Sequence, residues 1–286
     1  MIPTKEQFLV ALKQIEGFSP APVILSNAMR LMRDPESDID SIAALVGRDS
    51  ALVADILRCA NSSYYGSSGY RSIGEAVQKI GLRETIRILN LAVARIVSGK
   101  DLECYGIAGA DYWSESLFNG ILMQELARST GRADPDEAYT VGLLRFIGRL
   151  GINQAIQNLQ GGLFWDGNES LSVWETQNVG VTQAQAGAIL MGNWKFSDKI
   201  VQAIGMQDLP SAANEGNWAA DALYFATTIL PQGVGTPYLP AIGPIVGRSI
   251  PRSEVTERFG FDPANLDAVL SATSQEFDNI RKNFGV

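Results

Sequence analysis

The sequence predicts an all-α protein, and three observations carry that reading. Apolar residues recur at helical spacing along most of the chain, an alternating strand pattern persists nowhere for long, and helix-start signals punctuate the periodic segments. Composition agrees: 286 residues, 46% hydrophobic and 19% charged, hold enough apolar material for a substantial core. That length admits one large domain or two smaller ones.

Periodicity places the first helices at 4–16, 20–33, 38–47 and 49–61. Thr4 with Gln7 opens the first as a capping box, in which each side chain satisfies the other's orphan amide. In 49–61, Leu52, Val53, Ile56, Leu57 and Ala60 form one apolar stripe, and Asn61-Ser62-Ser63 supplies short polar side chains that end the helix. Asn61 is expected to cap rather than to contact a ligand. Helices at 73–80 and 83–98 follow, the first opened by Ser72 with Glu75.

The stretch SGKDLECYGIAGAD at 98–111 mixes glycine with charge and marks a subdomain boundary. Beyond it come helices at 111–130 and 135–158. Asp134-Pro135-Asp136-Glu137 starts the latter, because proline needs no amide partner at the first helical position and the acids complement the helix dipole. Further helices are expected at 170–178, 182–193, 197–206, 214–229 and 262–283, with Thr182 and Gln185 as another capping box. Gly187 with Ala184, Ala186 and Ala188 makes one helix small-sided, and Gly142 and Gly148 also permit close helix contact. The segment 231–251 contains Pro231, Pro237, Pro240, Pro244 and Pro251 and cannot be a continuous helix. Its Tyr238, Leu239, Ile242 and Ile245 form either an exposed docking loop or a lid packed on the core, and their apolar character favours the lid. The expected organisation is an N-terminal helical part over 1–98, a helical core over 99–230, and a Pro/Gly-rich loop with C-terminal helices over 231–286.

Charge and composition exclude several functions. Net charge is −8 with acids and bases interspersed, so no basic block faces a nucleic acid. The opening MIPTKEQFLVALKQIEG lacks a basic segment followed by a continuous apolar stretch, and no long apolar span follows; a cytoplasmic protein that neither enters nor crosses a membrane is expected. Cys59 and Cys104 lie far apart without CxxC spacing and read as small buried hydrophobes. The chain contains no histidine, which removes the commonest metal ligand and the usual general base near neutrality. GxSxG and GxxxxGK[ST] motifs are also absent.

Several phrases occur together in a fixed order: FSPAPVILSNAMRLMRDPESDIDSIAALVGRDSALVADILRCANSSYYG at 18–66, RSIGEAVQKIGLRETIRILNLAV at 71–93, DYWSESL at 111–117, AYTVGLLRFIGRLGI at 138–152 and GVTQAQAGAILMGNW at 180–194. In that order and spacing the chain resembles the HDOD domain, a bacterial signalling relative of the HD-type metal-dependent phosphohydrolases. The resemblance implies a multi-helix HD-like bundle, with an N-terminal helical unit followed by a degenerate HD-like unit. It also implies where the parent enzymes hold their metal. At the paired His-Asp stand Arg145 and Phe146, a cation and a benzyl group that cannot coordinate a metal. Glu115, Gln183, and Gln207 with Asp208 match the other ligand positions.

Arg145 and Arg149, four apart in the expected 135–158 helix, would project from one face and could clamp a small anion or nucleotide phosphate. The alternative, which burial costs favour, pairs Arg145 with Glu115 or Asp208, the guanidinium standing in for the lost metal charge. The resulting expectation is a non-catalytic signal-transduction module without metal or cofactor, binding a signalling or regulatory protein at a surface or groove between its helical units. A residual phosphohydrolase and a small-anion sensor are the competing readings.

Overall fold

The computed structural model describes residues 3–15, 21–34, 38–61, 69–97, 101–208, 217–229 and 263–284. The 231–251 segment, with Tyr238, Leu239, Ile242 and Ile245, lies outside these residues, as do Ser62 and Ser63. The described chain is helical: α1 (Lys5–Lys13), α2 (Ala21–Met32), α3 (Ile39–Val46), α4 (Ser50–Ala60), α5 (Ile73–Ile80), α6 (Leu82–Val97), α7 (Gly109–Thr130), α8 (Pro135–Leu143), α9 (Ile147–Asn158), α10 (Leu171–Asn178), α11 (Gln183–Asn193), α12 (Asp198–Met206), α13 (Trp218–Ile229) and α14 (Pro263–Phe284). A short 3-10 turn at Glu103–Tyr105 sits inside an isolated Leu102–Ile107 bridge, the extent of β-structure among the described residues. None of the described helices is long and apolar enough to cross a membrane.

Start signals read from sequence act as expected in most cases. Thr4 and Gln7 exchange both capping-box hydrogen bonds, and so do Thr182 and Gln185. Ser72 accepts from the Glu75 amide, but the Glu75 carboxylate reaches one residue further back, to the amide of Arg71. Asp134 accepts from the amides of Asp136 and Glu137, both at 2.9 Å, which fixes the start of α8.

The chain divides into two compact units, one of residues 17–97 with 194–197 and the other of residues 1–16, 98–193 and 198–286. In the smaller unit, α2 packs on α3 and α6, while α4, α5 and α6 meet one another. Leu52, Ile56 and Ala60 are buried along α4, with Val53 and Leu57 half-buried beside them. Asn61 does more than end this helix. Its amide oxygen accepts from the Tyr70 amide at 2.6 Å and its amide nitrogen donates to the Tyr70 carbonyl at 2.9 Å, a two-point clasp nine residues away.

The larger unit is built around α7, which packs along α8 and α14, and around α9, which packs on α1 and α11. Glycines set these approaches. A β-carbon at Gly142 of α8 would overlap the Asn119 carbonyl of α7, and one at Gly148 of α9 would overlap the Gln183 carbonyl of α11. Gly187 of α11 answers from the other side, where a β-carbon would stand 2.8 Å from Ile204 and 3.3 Å from Ile147. Cys104 is buried, as is Cys59 in the smaller unit.

One expected element is broken. The continuous helix over 135–158 is instead α8 and α9 separated by Leu144, Arg145 and Phe146, with Leu144 at φ −97°, ψ 6° and Phe146 at φ −99°, ψ 12°. Both residues leave the helical basin for the bridge region. The Arg145 amide bonds to the Gly142 carbonyl at 3.4 Å, and the Ile147 amide to Leu144 at 3.0 Å, tightening the backbone into a turn before α9 resumes. The two close glycine contacts on either side, Gly142 on α7 and Gly148 on α11, hold α8 and α9 to different neighbours and so favour the break.

Gly148→Ala is expected to destabilise the protein by roughly 3 kcal/mol through backbone overlap with α11. Gly192→Ala, in the same region of α11 but with open space at its β-carbon, is expected to be neutral or slightly stabilising. Urea midpoints of the two variants test whether the close α9–α11 approach sustains the fold.

Candidate functional site

The break between α8 and α9 turns Arg145 inward, where its side chain is 1% exposed. An arginine so deep needs an acceptor for each nitrogen, and the surrounding helices provide them. Nη1 donates to Oδ1 of Asn119 at 2.6 Å, Nη2 to the Leu223 carbonyl at 3.2 Å, and Nε to Oε1 of Gln207 at 3.4 Å. Gln207 returns the contact, its Nε2 donating to the carbonyls of Arg145 and Ile204, each at 2.9 Å. Arg145 thereby ties α7, α13 and the residue following α12 to the α8–α9 turn.

Every one of these acceptors is neutral. The direct ion pair expected between Arg145 and Glu115 or Asp208 does not form, because a residue in the turn points along a different direction from one on a continuous helix face. Both carboxylates act on Arg145 through space instead. Burial lowers its pKa to about 10 in spite of them, which leaves the group charged at neutral pH.

Arg149, in the first turn of α9, is also fully buried, and its situation is the reverse. Nε, Nη1 and Nη2 all lack hydrogen-bond partners. The two guanidinium carbons lie 4.7 Å from the centroid of the same Phe146 ring, so this benzyl group serves as a cation–π platform for both. Arg145 and Arg149 thus share a ring. They do not share an acceptor.

Carboxyl groups surround this pair. Burial raises the Glu115 pKa to about 7 against the pull of Arg149 and Arg145, and raises Glu175 to about 7 against the pull of Arg149. Burial lifts Asp208 as well, opposed by both arginines. Glu175 is held in place by Tyr105, whose hydroxyl donates to Oε1 at 3.1 Å, and by the Gln183 amide, which donates to Oε2 at 2.7 Å. That second bond seats a carboxylate on the first amide of α11, where the helix dipole favours negative charge. Gln183 is 2% exposed with neither side-chain amide atom bonded, and Oδ1 of Asp208 is likewise buried without a partner.

The candidate site positions are in the larger unit: Glu115, Gln183, Asp208, Arg145 and Arg149 are linked by electrostatics or backbone contact, and Gln207 and Phe146 support the arginines. Three participants escaped the sequence reading. Asn119 had a signal, a polar residue inside the apolar run LFNGILM; Glu175 and Tyr105 had none, since each arrives from a short segment distant in sequence.

A divalent metal does not fit this donor set. Phe146 offers no lone pair, Arg145 is a cation already bonded to protein, and Arg149 brings a second fixed charge among the carboxylates that could otherwise ligate. Among the described residues, no group of three or more acidic or cysteine side chains is gathered as a metal site.

Protonation of these buried carboxyls sets a pH dependence. The folded Glu115 titrates near 7 and an unfolded glutamate near 4.5, so the folded state holds the extra proton between those values. The associated stability is complete below the lower value and is lost as pH rises through the higher one, with a slope of up to about 1.4 kcal/mol per pH unit. Glu115→Gln, which cannot ionise, is expected to gain stability relative to the parent between pH 5 and pH 8; urea midpoints that keep a constant offset across this range contradict it.

Similarity to known proteins follows the same outline. Residues 19–210 match the HDOD domain family. An uncharacterized protein of Treponema pallidum (strain Nichols) is 27% identical over 233 residues, covering 79% of this chain, and the chain spans 44% of that relative's length. A Marinobacter aquaeolei VT8 protein named for signal transduction superposes with TM-score 0.70 at 23% identity over 97% of this chain, which spans 64% of its length. An HDOD domain protein from Geobacter sulfurreducens superposes with TM-score 0.57 at 20% identity, covering 88% of this chain and 90% of its own. A Shewanella amazonensis SB2B protein named as a phosphohydrolase gives TM-score 0.58 at 23% identity, over 94% of this chain and 97% of its own. The helical fold and a match over residues 19–210 lead to one conclusion: the chain belongs to the HDOD domain family.

Proposed function

We propose that this chain is a non-catalytic regulatory module of bacterial signal transduction, acting in the cytoplasm by binding a regulatory protein or a ligand. Membership of the HDOD family and the signalling name of the Marinobacter relative support the signalling role. The observation that carries the non-catalytic part is Arg145. At the position matching a metal-ligating histidine, a guanidinium is buried and committed through all three nitrogens to Asn119, Gln207 and the Leu223 carbonyl. A permanent cation held there by neutral acceptors repels a divalent ion, and its removal would leave several buried acceptors unpaired.

Hydrolysis of a phosphodiester in the HD manner needs a metal to generate the nucleophile at neutral pH, and no histidine exists in the chain to act as a general base in its place. A second reading, a sensor for a small anion, is favoured by Arg149, whose three nitrogens have no partner.

Elemental analysis of the protein purified without chelator tests the first reading. The expected result is iron, manganese and zinc well below one equivalent, with no phosphodiester hydrolysis when these metals are added back. One full equivalent of any of them, accompanied by hydrolysis, would return the chain to the metal-dependent phosphohydrolases.

A further inference from the structure

The chain has one Asp-Gly and one Asn-Gly dipeptide, Asp166-Gly167 and Asn119-Gly120. Both invite the same chemistry, because glycine lacks the β-carbon that would shield its amide nitrogen from the carbonyl carbon of the preceding side chain. Attack by that nitrogen closes a five-membered succinimide, and water reopens it. From sequence alone the asparagine, with ammonia as its leaving group, is the more reactive of the two. The structure reverses the order.

Asn119 lies inside α7 and is 1% exposed. Its Nδ2 donates to the Glu115 carbonyl at 2.9 Å and its Oδ1 accepts from Arg145 at 2.6 Å, so the side-chain amide is held at both ends. Gly120 follows in the body of the same helix, where its amide belongs to the backbone ladder. A nitrogen so engaged is a poor nucleophile, and burial keeps away the water that would open a ring.

Asp166 is in the opposite state. Asp166, Gly167 and Asn168 are all exposed, in the segment between α9 and α10. Gly167 has φ +82°, its amide has no hydrogen-bond acceptor among the described residues, and no heavy atom would lie within 4 Å of a β-carbon placed there. The Asn168 amide donates to Oδ1 of Asp166 at 3.0 Å. That bond folds the carboxyl back along the chain and closes a ring that contains both Cγ of Asp166 and the nitrogen of Gly167. The flanks are pinned: the Trp165 amide donates to the Cys104 carbonyl at 2.8 Å, and the Trp165 indole to the Glu169 carbonyl at 2.9 Å.

We propose that Asp166-Gly167 is a site of spontaneous backbone rearrangement, at which Asp166 converts to an isoaspartyl residue in the folded protein. The Gly167 nitrogen bonds to Cγ of the protonated carboxyl, the Cγ–OH bond breaks, and the hydroxyl leaves with the amide proton as water. Water then adds to the Asp166 main-chain carbonyl and breaks its bond to the Gly167 nitrogen. The main chain now runs through Cβ and Cγ, and the former main-chain carbonyl is a free carboxylate. No other reactant enters or leaves. The chain is one carbon longer at this point, which takes the Glu169 carbonyl out of register with the Trp165 indole. The backbone and side-chain donors of Asn168 also hold the Asp166 carboxyl below the usual carboxylate range, which thins the neutral acid and makes mild acidity the condition of choice.

The test is incubation of the folded full chain at pH 6 in water enriched in oxygen-18, followed by proteolysis in ordinary water and mass spectrometry. Heavy oxygen is expected in the peptide containing Asp166, together with an isoaspartyl isomer that separates chromatographically, while the Asn119 peptide keeps its amide. Asp166→Glu, whose side chain would have to close a six-membered ring, is expected to lose the label and the isomer. In urea, with α7 unfolded, Asn119 is expected to deamidate; an Asn119 that stays intact there is not protected by the fold, which overturns the inference. An unlabelled Asp166 peptide, or deamidation of Asn119 ahead of labelling at Asp166 in the folded protein, overturns it as well. Equal labelling in Asp166→Glu places the exchange at another residue, with the same consequence.

Discussion

The burial of two guanidinium groups against one phenyl ring is the constraint around which the larger unit is organised. Placing two like charges within 4.7 Å of the Phe146 centroid is unfavourable unless the surroundings supply opposite charge and acceptors. Arg145 draws its acceptors from α7, from α13 and from Gln207 just after α12, and so helps to set where those helices meet. Arg149 draws instead on the field of Glu115, Glu175 and Asp208, which explains why acids are buried here at all. Without the arginines these carboxyls would be more strongly pushed toward their protonated forms; without the carboxyls the arginines would face each other uncompensated.

This cluster depends on very close helix approach, and the approach depends on glycine. Gly142 brings α8 onto the backbone of α7, while Gly148 and Gly187 bring α9 and α11 together. The same contacts carry Gln183 to the residue next to Arg149 and, through its amide, position Glu175. Packing and electrostatics are thus one arrangement: a methyl group added at Gly148 would displace the helix start on which a carboxylate of the site is anchored.

A fixed cation and a metal ion differ in what they can do. A metal is exchangeable, polarises water and accepts new ligands during a reaction; a guanidinium is permanent, has no vacant coordination position and makes directional hydrogen bonds. Arg145 performs a structural part. Arg149 differs in having no hydrogen-bond partner at its three side-chain nitrogens.

Much of this was legible in the chain itself. Helical periodicity and capping residues located nearly every helix, because both are local properties: Thr4, Asp134 and Thr182 each find their partners within three residues. The absence of histidine is likewise read from the chain without reference to any contact. What remained hidden is long-range. The interruption of 135–158 carries no proline or glycine at 144–146, and arises because the helix is held on either side by different neighbours through Gly142 and Gly148. That interruption decides the direction of Arg145, hence its choice of Asn119, Gln207 and a backbone carbonyl over Glu115 and Asp208. It also separates the roles of two arginines that, four apart on an unbroken helix, would have been equivalent. Residue chemistry alone determined the fold class and which groups could gather; only tertiary packing decided which were satisfied, because hydrogen bonding depends on distances of a few ångströms between segments far apart in sequence.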